Sequence, residues 1–183
     1  MNVNEKNNSF HKPFELLFDK IEIAQKVSHL GNLISQDYSD KYPVVIGVLK
    51  GCFVFMSDLI RAIHVPLEIE FVSASSYKDG EKQEKKIDFV SAVPIPLKNR
   101  HVLIVEGVVD SGRTAETILR ELRKMEPASI EFVTLIDKPK SHRVELDIKY
   151  KGFTIGNEFI IGFGLDNTQK YRNLPFIGKL IDK

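Results

Sequence analysis

Val102-Leu103-Ile104-Val105-Glu106-Gly107-Val108-Val109-Asp110-Ser111-Gly112-Arg113-Thr114 is an apolar run too short for a typical helix, followed by small and polar residues and an amphipathic segment. That order reads as buried strand, loop, helix. Such a junction suits a phosphate: small residues let backbone amides approach an anion, the free N–H groups of the following helix point at it, and Ser111 and Thr114 add hydroxyl donors. Glu106 and Asp110 repel phosphate, so they fit sugar hydroxyls, a metal or a proton better. A phosphorylated sugar is the ligand class that answers both halves of the stretch. The nucleotide-kinase loop is excluded, because Gly107 and Gly112 enclose the required four residues but Arg113 stands where Lys is needed. The glycine pattern of dinucleotide binders is absent.

Outward from this stretch the chain repeats the same unit. Pro43 to Leu49 is a continuous apolar run ending at Lys50-Gly51, the pattern of a strand buried on both faces of a parallel sheet. Phe53, Met56, Leu59, Ile60 and Ile63 mark a helix after it, and Ile23, Val27, Leu30 and Ile34 mark one before it, ending near Tyr38 and Ser39. Leu67 to Ser73, Ile87 to Val93 and Ile130 to Ile136 read as further strands, and Phe153 to Ile155, Phe159 to Leu165 and Phe176 to Ile181 as short closing pieces. Between Ser75 and Lys86 the only apolar side chain is Tyr77, which predicts a long mobile loop of the kind that serves as a lid. The fold class is therefore α/β, a parallel central sheet flanked by helices. Ligands bind such sheets at the carboxyl ends of strands, where Lys50, Glu106, Asp110 and Lys138 fall.

Composition sets the bounds. A chain of 183 residues supports one domain with a full core, here 13–183, behind a polar segment 1–12. The formal charge of +1 disfavours a nucleic-acid binder. Cys52 is the sole cysteine, and the five histidines have no partner at metal-ligand spacing, which argues against zinc. The absence of an apolar signal core or membrane-length run leads us to expect a cytoplasmic protein with no membrane partner.

With these positions fixed, the chain resembles the 6-oxopurine phosphoribosyltransferases of the hypoxanthine-guanine type. The resemblance rests on the opening stretch together with Gly-Val-Leu-Lys-Gly-Cys-Phe-Val-Phe-Met (47 to 56), Ser-Ser-Tyr (75 to 77), Leu-Ile-Asp-Lys-Pro (135 to 139), Glu-Phe-Ile-Ile-Gly-Phe-Gly-Leu-Asp (158 to 166) and Tyr-Arg-Asn-Leu-Pro (171 to 175), in family order. It implies the type I phosphoribosyltransferase fold, with a small hood formed by the N- and C-terminal segments. It also implies transfer of phosphoribosyl from phosphoribosyl pyrophosphate to N9 of hypoxanthine or guanine, giving IMP or GMP and pyrophosphate, with Mg²⁺ and a homodimeric or homotetrameric assembly.

Site roles follow from the same resemblance. Asp110, Ser111, Gly112, Arg113 and Thr114 would hold the 5′-phosphate, with Asp110 also managing the purine proton. Glu106 and Gly107 would lie at the ribose; Lys50, Gly51 and Arg172 at pyrophosphate; Ser76 and Tyr77 in the lid. A cis peptide is expected at the Lys50-Gly51 turn. Lys138, Phe159, Ile160 and Asp166 would form the purine site, with Asp166 and Glu106 facing Mg²⁺. Lys138 only donates, so it pairs with a 6-oxo group and confronts the amino group of adenine donor to donor. Where the family carries a second acid this chain has Gly107. Loss of one charge-assisted hydrogen bond, worth about 1.5 to 3 kcal/mol, implies a raised Michaelis constant for the sugar, which Gly107→Asp would alter. That departure also motivates an alternative, a non-catalytic sensor of phosphoribosyl pyrophosphate.

Overall fold

The computed structural model describes residues 14–78, 85–89 and 94–181. Phe14–Phe18 (β1) leads into Lys20–Asp37 (α1), Val44–Leu49 (β2), Phe53–Ala62 (α2), Glu68–Lys78 (β3) and Lys85–Phe89 (β4). His101–Val109 (β5), Arg113–Arg123 (α3), Ser129–Asp137 (β6), a 3-10 turn at Pro139–Ser141, Tyr150–Thr154 (β7), Ile160–Ile161 (β8) and Ile177–Leu180 (β9) complete the chain.

The main sheet has the order β4-β3-β2-β5-β6-β7. Its pairings are parallel from β3 through β7, while β4 joins β3 antiparallel. The apolar runs of β2 and β5 are buried on both faces, as a parallel sheet covered by helices requires. On one side Ile23, Val27, Leu30 and Ile34 of α1 and Phe55, Met56 and Leu59 of α2 pack with Val45, Leu103, Val105 and Val133. On the other, Ala115, Ile118 and Leu122 of α3 pack with Val44, Ile46, Val102, Ile104 and Phe132. Asp19 opens α1 with a capping box: its carboxylate accepts from the N–H groups of Ile21 and Glu22, and the Glu22 side chain accepts from the N–H of Asp19. Such a cap contributes about 1 kcal/mol.

Two expectations are corrected. The segment 75–86 is not one long loop: β3 runs on to Lys78, and Ser76 pairs with Ile87 and Tyr77 with Lys86 in a hairpin with β4. The ladder is made by backbone groups, so the low hydrophobicity of 75–78 did not forbid a strand there. Residues 79–84 and 90–93 lie outside the described residues, as do 1–13; the expected strand end at Val93 and the polar start therefore stand outside the description. The second correction is β1, which the sequence reading passed over. It pairs antiparallel with β9, Phe14 opposite Leu180, and β9 pairs with β8, so the chain's two ends build a separate three-stranded sheet. Ile161, Tyr171, Leu174 and Leu180 give it a small core of their own, against which Phe14 and Phe176 pack.

Candidate active site

Three parallel strands end side by side, and each hands over to a residue singled out from the sequence. β2 ends at Leu49 before Lys50, β5 at Val109 before Asp110, and β6 at Asp137 before Lys138. Val109 and Asp137 are register partners, so Asp110 and Lys138 leave adjacent strands together. Lys138 Nζ donates to Asp110 Oδ2 at 3.1 Å, and the Lys138 N–H donates to Val109 O at 3.0 Å. The lysine side chain is only 6% exposed while the aspartate is 57% exposed, so the ammonium is walled in and the carboxylate faces outward. Taken alone, Lys138 reads as a solvated turn residue and Asp110 as a helix cap. Neither is: Lys138 is buried, and the cap of α3 is Gly112.

Gly112 adopts φ +78°, in the left-handed region open to glycine, and caps α3 with no side-chain hydrogen bond. The first turn of the helix thus presents Arg113, Thr114 and Ala115 N–H groups at the Asp110-Ser111-Gly112 loop, the arrangement that favours an anion.

Glu106 is buried near the end of β5, and its Oε1 has no hydrogen-bond partner among the described residues. Removal from water pushes its carboxyl up to about 8. The sign of the consequence is definite. Between the ordinary value of 4.5 and about 8 the folded protein holds a proton that the unfolded chain has lost, so stability falls as pH rises through that window. Glu106→Gln abolishes this titration. Thermal melts are expected to show the variant gaining on the parent from pH 5 to pH 8.5, whereas parallel curves would refute the assignment. Cys52, also buried, has its thiol pushed up to about 12 by burial first and by Glu106 second, which makes it inert.

The turn after β2 carries a cis peptide between Leu49 and Lys50. Beyond it the Gly51 carbonyl is wedged between two glycines: a Cβ on Gly107 would meet Gly51 O at 2.5 Å, and one on Gly164 would meet it at 2.7 Å. Gly107 is therefore more than a missing acid. It is the space into which the Lys50-Gly51 turn settles, and an aspartate there would have to displace backbone.

In the segment after β8, Arg172 holds Asp166: NH2 lies 2.7 Å from Asp166 Oδ1, while NH1 donates to Gly164 O at 2.8 Å. The Gln169 N–H donates to Asp166 Oδ2 at 2.8 Å. Ile160 lies in β8 and is buried; Phe159 just before it is 53% exposed, a large aromatic face open to a ligand. Ser76 and Tyr77 sit on the backbone of β3. Sequence reasoning gave no part to Asp137, His142 or Gly164. Asp137 is nonetheless buried, with His142 Nε2 at 2.9 Å and Lys151 Nζ at 3.6 Å. A carboxylate at the inner end of a buried strand was the available signal.

Comparison with known proteins gives the same family from independent directions. The phosphoribosyl transferase domain model matches residues 13–168. A hypoxanthine-guanine phosphoribosyltransferase of Lactococcus lactis is 41% identical over 166 residues, 91% of this chain and 90% of that protein. A hypoxanthine phosphoribosyltransferase of Salmonella typhimurium is 36% identical over 169 residues, 91% and 95% of the two chains. Among solved structures, a hypoxanthine-guanine phosphoribosyltransferase from Bacillus anthracis superimposes with a TM-score of 0.85 at 38% identity, covering 91% of this chain and 97% of that one. With the domain model spanning most of the chain and relatives of this identity and coverage, the chain belongs to the hypoxanthine-guanine phosphoribosyltransferase family.

Proposed function

We propose that this protein transfers the 5-phosphoribosyl group of phosphoribosyl pyrophosphate to N9 of hypoxanthine or guanine, releasing pyrophosphate in purine salvage. The observation that carries the reading is the Lys138–Asp110 pair at the ends of adjacent strands. A 6-oxopurine displays O6 and N7 next to each other on one edge, and a donor beside an acceptor is the complement of that edge. Lys138 donates to O6, and Asp110 faces N7. As N9 bonds to C1′, the C1′–O bond to pyrophosphate breaks and its electron pair leaves with pyrophosphate. The proton at N7 passes to the Asp110 carboxylate. Phe159 covers the purine face, and the Ile160 backbone meets its edge.

The 5′-phosphate sits on the first turn of α3, with the Ser111 and Thr114 hydroxyls and Arg113 around the loop. Lys50, Gly51 and Arg172 serve pyrophosphate, Glu106 the ribose hydroxyls, and Ser76 and Tyr77 the lid that excludes water from the exposed sugar.

Mg²⁺ fits this donor set in a limited way. No group of three or more potential metal ligands occurs among the described residues. The Asp166 carboxylate, joined by Glu106 once it has given up its proton, is a hard donor of the kind that would hold Mg²⁺ through one or two carboxylates plus substrate phosphates. Such an ion, when bound, neutralises charge on the departing pyrophosphate.

No helix of the described residues is long and apolar enough to cross a membrane, and with one buried thiol a cytoplasmic enzyme is the reading we adopt. Leu49, Phe53, Ile69 and Phe71 are exposed around β2, α2 and β3, an apolar set that a homodimer or homotetramer would cover. The alternative of a non-catalytic sensor gains no support from the relatives' names.

Purified protein with Mg²⁺ and phosphoribosyl pyrophosphate, given hypoxanthine, guanine, xanthine and adenine in separate reactions, tests the proposal. Pyrophosphate release is expected with hypoxanthine or guanine and not with adenine. Silence with every base would end the enzymatic reading.

A further inference from the structure

Between the purine and phosphate halves of the site runs a short connection whose anchoring has no counterpart in the roles described so far. Lys138 leaves β6 into the 3-10 turn Pro139–Ser141, and the chain then passes His142 and Arg143. The turn is closed by the Ser141 N–H donating to Lys138 O at 2.9 Å, and the Arg143 N–H donates to Ser111 O at 3.0 Å. One six-residue stretch thus touches Lys138 at one end and the Asp110-Ser111-Gly112 loop at the other.

His142 fastens its middle. The imidazole, 16% exposed, places Nε2 at 2.9 Å from Oδ1 of Asp137, whose side chain is 2% exposed. Neither atom has an aligned hydrogen-bond partner among the described residues, so the two groups meet by close packing rather than through a directed hydrogen bond. Lys151 Nζ lies 3.6 Å from the other oxygen, Oδ2. Both oxygens of the buried carboxylate are thereby engaged by cationic or proton-bearing groups from beyond the turn. The lysine that directly follows Asp137 in the chain is left to Asp110 instead.

We infer that His142 is a positioning residue: by holding Asp137 it fixes the turn that aims Lys138 at the purine and steadies Ser111 beneath the 5′-phosphate. The inference rests on the proposed purine-transfer activity. Without His142 the turn keeps its backbone hydrogen bonds and the Ser141 hydroxyl donating to Asn157 Oδ1 at 2.9 Å, but Oδ1 of the buried Asp137 carboxylate loses the group beside it. The effect falls on substrate binding rather than on the chemical step, since His142 touches no reacting atom.

The test is steady-state kinetics of the full-length protein and its His142→Ala and His142→Arg variants with hypoxanthine and phosphoribosyl pyrophosphate, beside thermal melts. His142→Ala is expected to raise KM for the base about tenfold, the scale of one lost contact to a charged group, with kcat within about twofold. His142→Arg keeps a proton-bearing group beside Asp137 and is expected to return KM to within about threefold of the parent. A lower melting temperature for His142→Ala with unchanged KM would make His142 a purely structural residue and overturn the inference. So would an Arg variant as impaired as Ala. Parent protein inactive with every base would instead overturn the proposed function, and the two failures are distinct.

Discussion

Asp110→Asn is expected to lower kcat for hypoxanthine by about a hundredfold or more, within the range of 10² to 10⁴ assigned to a positioned proton acceptor. The amide cannot take the N7 proton, yet its shape leaves the loop over α3 undisturbed. KM for the base should rise as well, because the buried Lys138 ammonium loses the charge it faces at 3.1 Å. The Michaelis constant for phosphoribosyl pyrophosphate should move least, since the helix start and loop amides remain. Initial rates at saturating substrates check this, and a kcat within threefold of the parent would remove Asp110 from the chemistry.

Gly107→Asp carries the second large effect, and its direction reverses the simplest expectation. If Gly107 were only a lost acid, restoring aspartate would tighten the sugar substrate. The structure argues the opposite, because the new Cβ would lie 2.5 Å from the Gly51 carbonyl oxygen and 3.2 Å from Leu165 Cδ2. Backbone cannot yield as a flexible side chain would, so the Lys50-Gly51 turn must move. Overpacking of this kind costs about 1 to 3 kcal/mol, and displacement of a positioning loop by about 1 Å can cost a hundredfold in rate. A fall of about a hundredfold in kcat/KM for phosphoribosyl pyrophosphate is therefore expected. Gly107→Ala separates the causes: it should lose nearly as much, because Cβ alone makes the contact. An aspartate variant that binds the sugar better than the parent would show that the turn has room to spare.

The parts of this molecule legible from sequence were those encoded locally. The β5 run, its two acids and the small loop before α3 announce strand, phosphate loop and helix without reference to anything else, and β2 with Lys50-Gly51 does the same. What escaped depends on distant segments. β1 is five residues without clean alternation, and it is a strand because Phe14 meets Leu180 at the other end of the chain. The far end of the β3–β4 hairpin, residues 75–78 and 85–86, is polar apart from Tyr77 and is built on a backbone ladder, so hydrophobic patterning registered only the apolar parts of the two strands. Gly107 reads as a deletion of charge until it and Gly164 are seen converging on the Gly51 carbonyl. Asp137 reads as a strand terminator until the 3-10 turn brings His142 back onto it. In each case the missing information was a tertiary contact, not a residue preference.

The central claim is that Lys138, held by Asp110, selects the 6-oxo group. A competition measures it most directly: hypoxanthine and adenine at equal concentration, limiting phosphoribosyl pyrophosphate, and nucleotide products separated and quantified. IMP is expected, with AMP lower by at least about a hundredfold, because a donor facing a donor leaves both unpaired in a desolvated site. AMP in comparable or greater amount would contradict it.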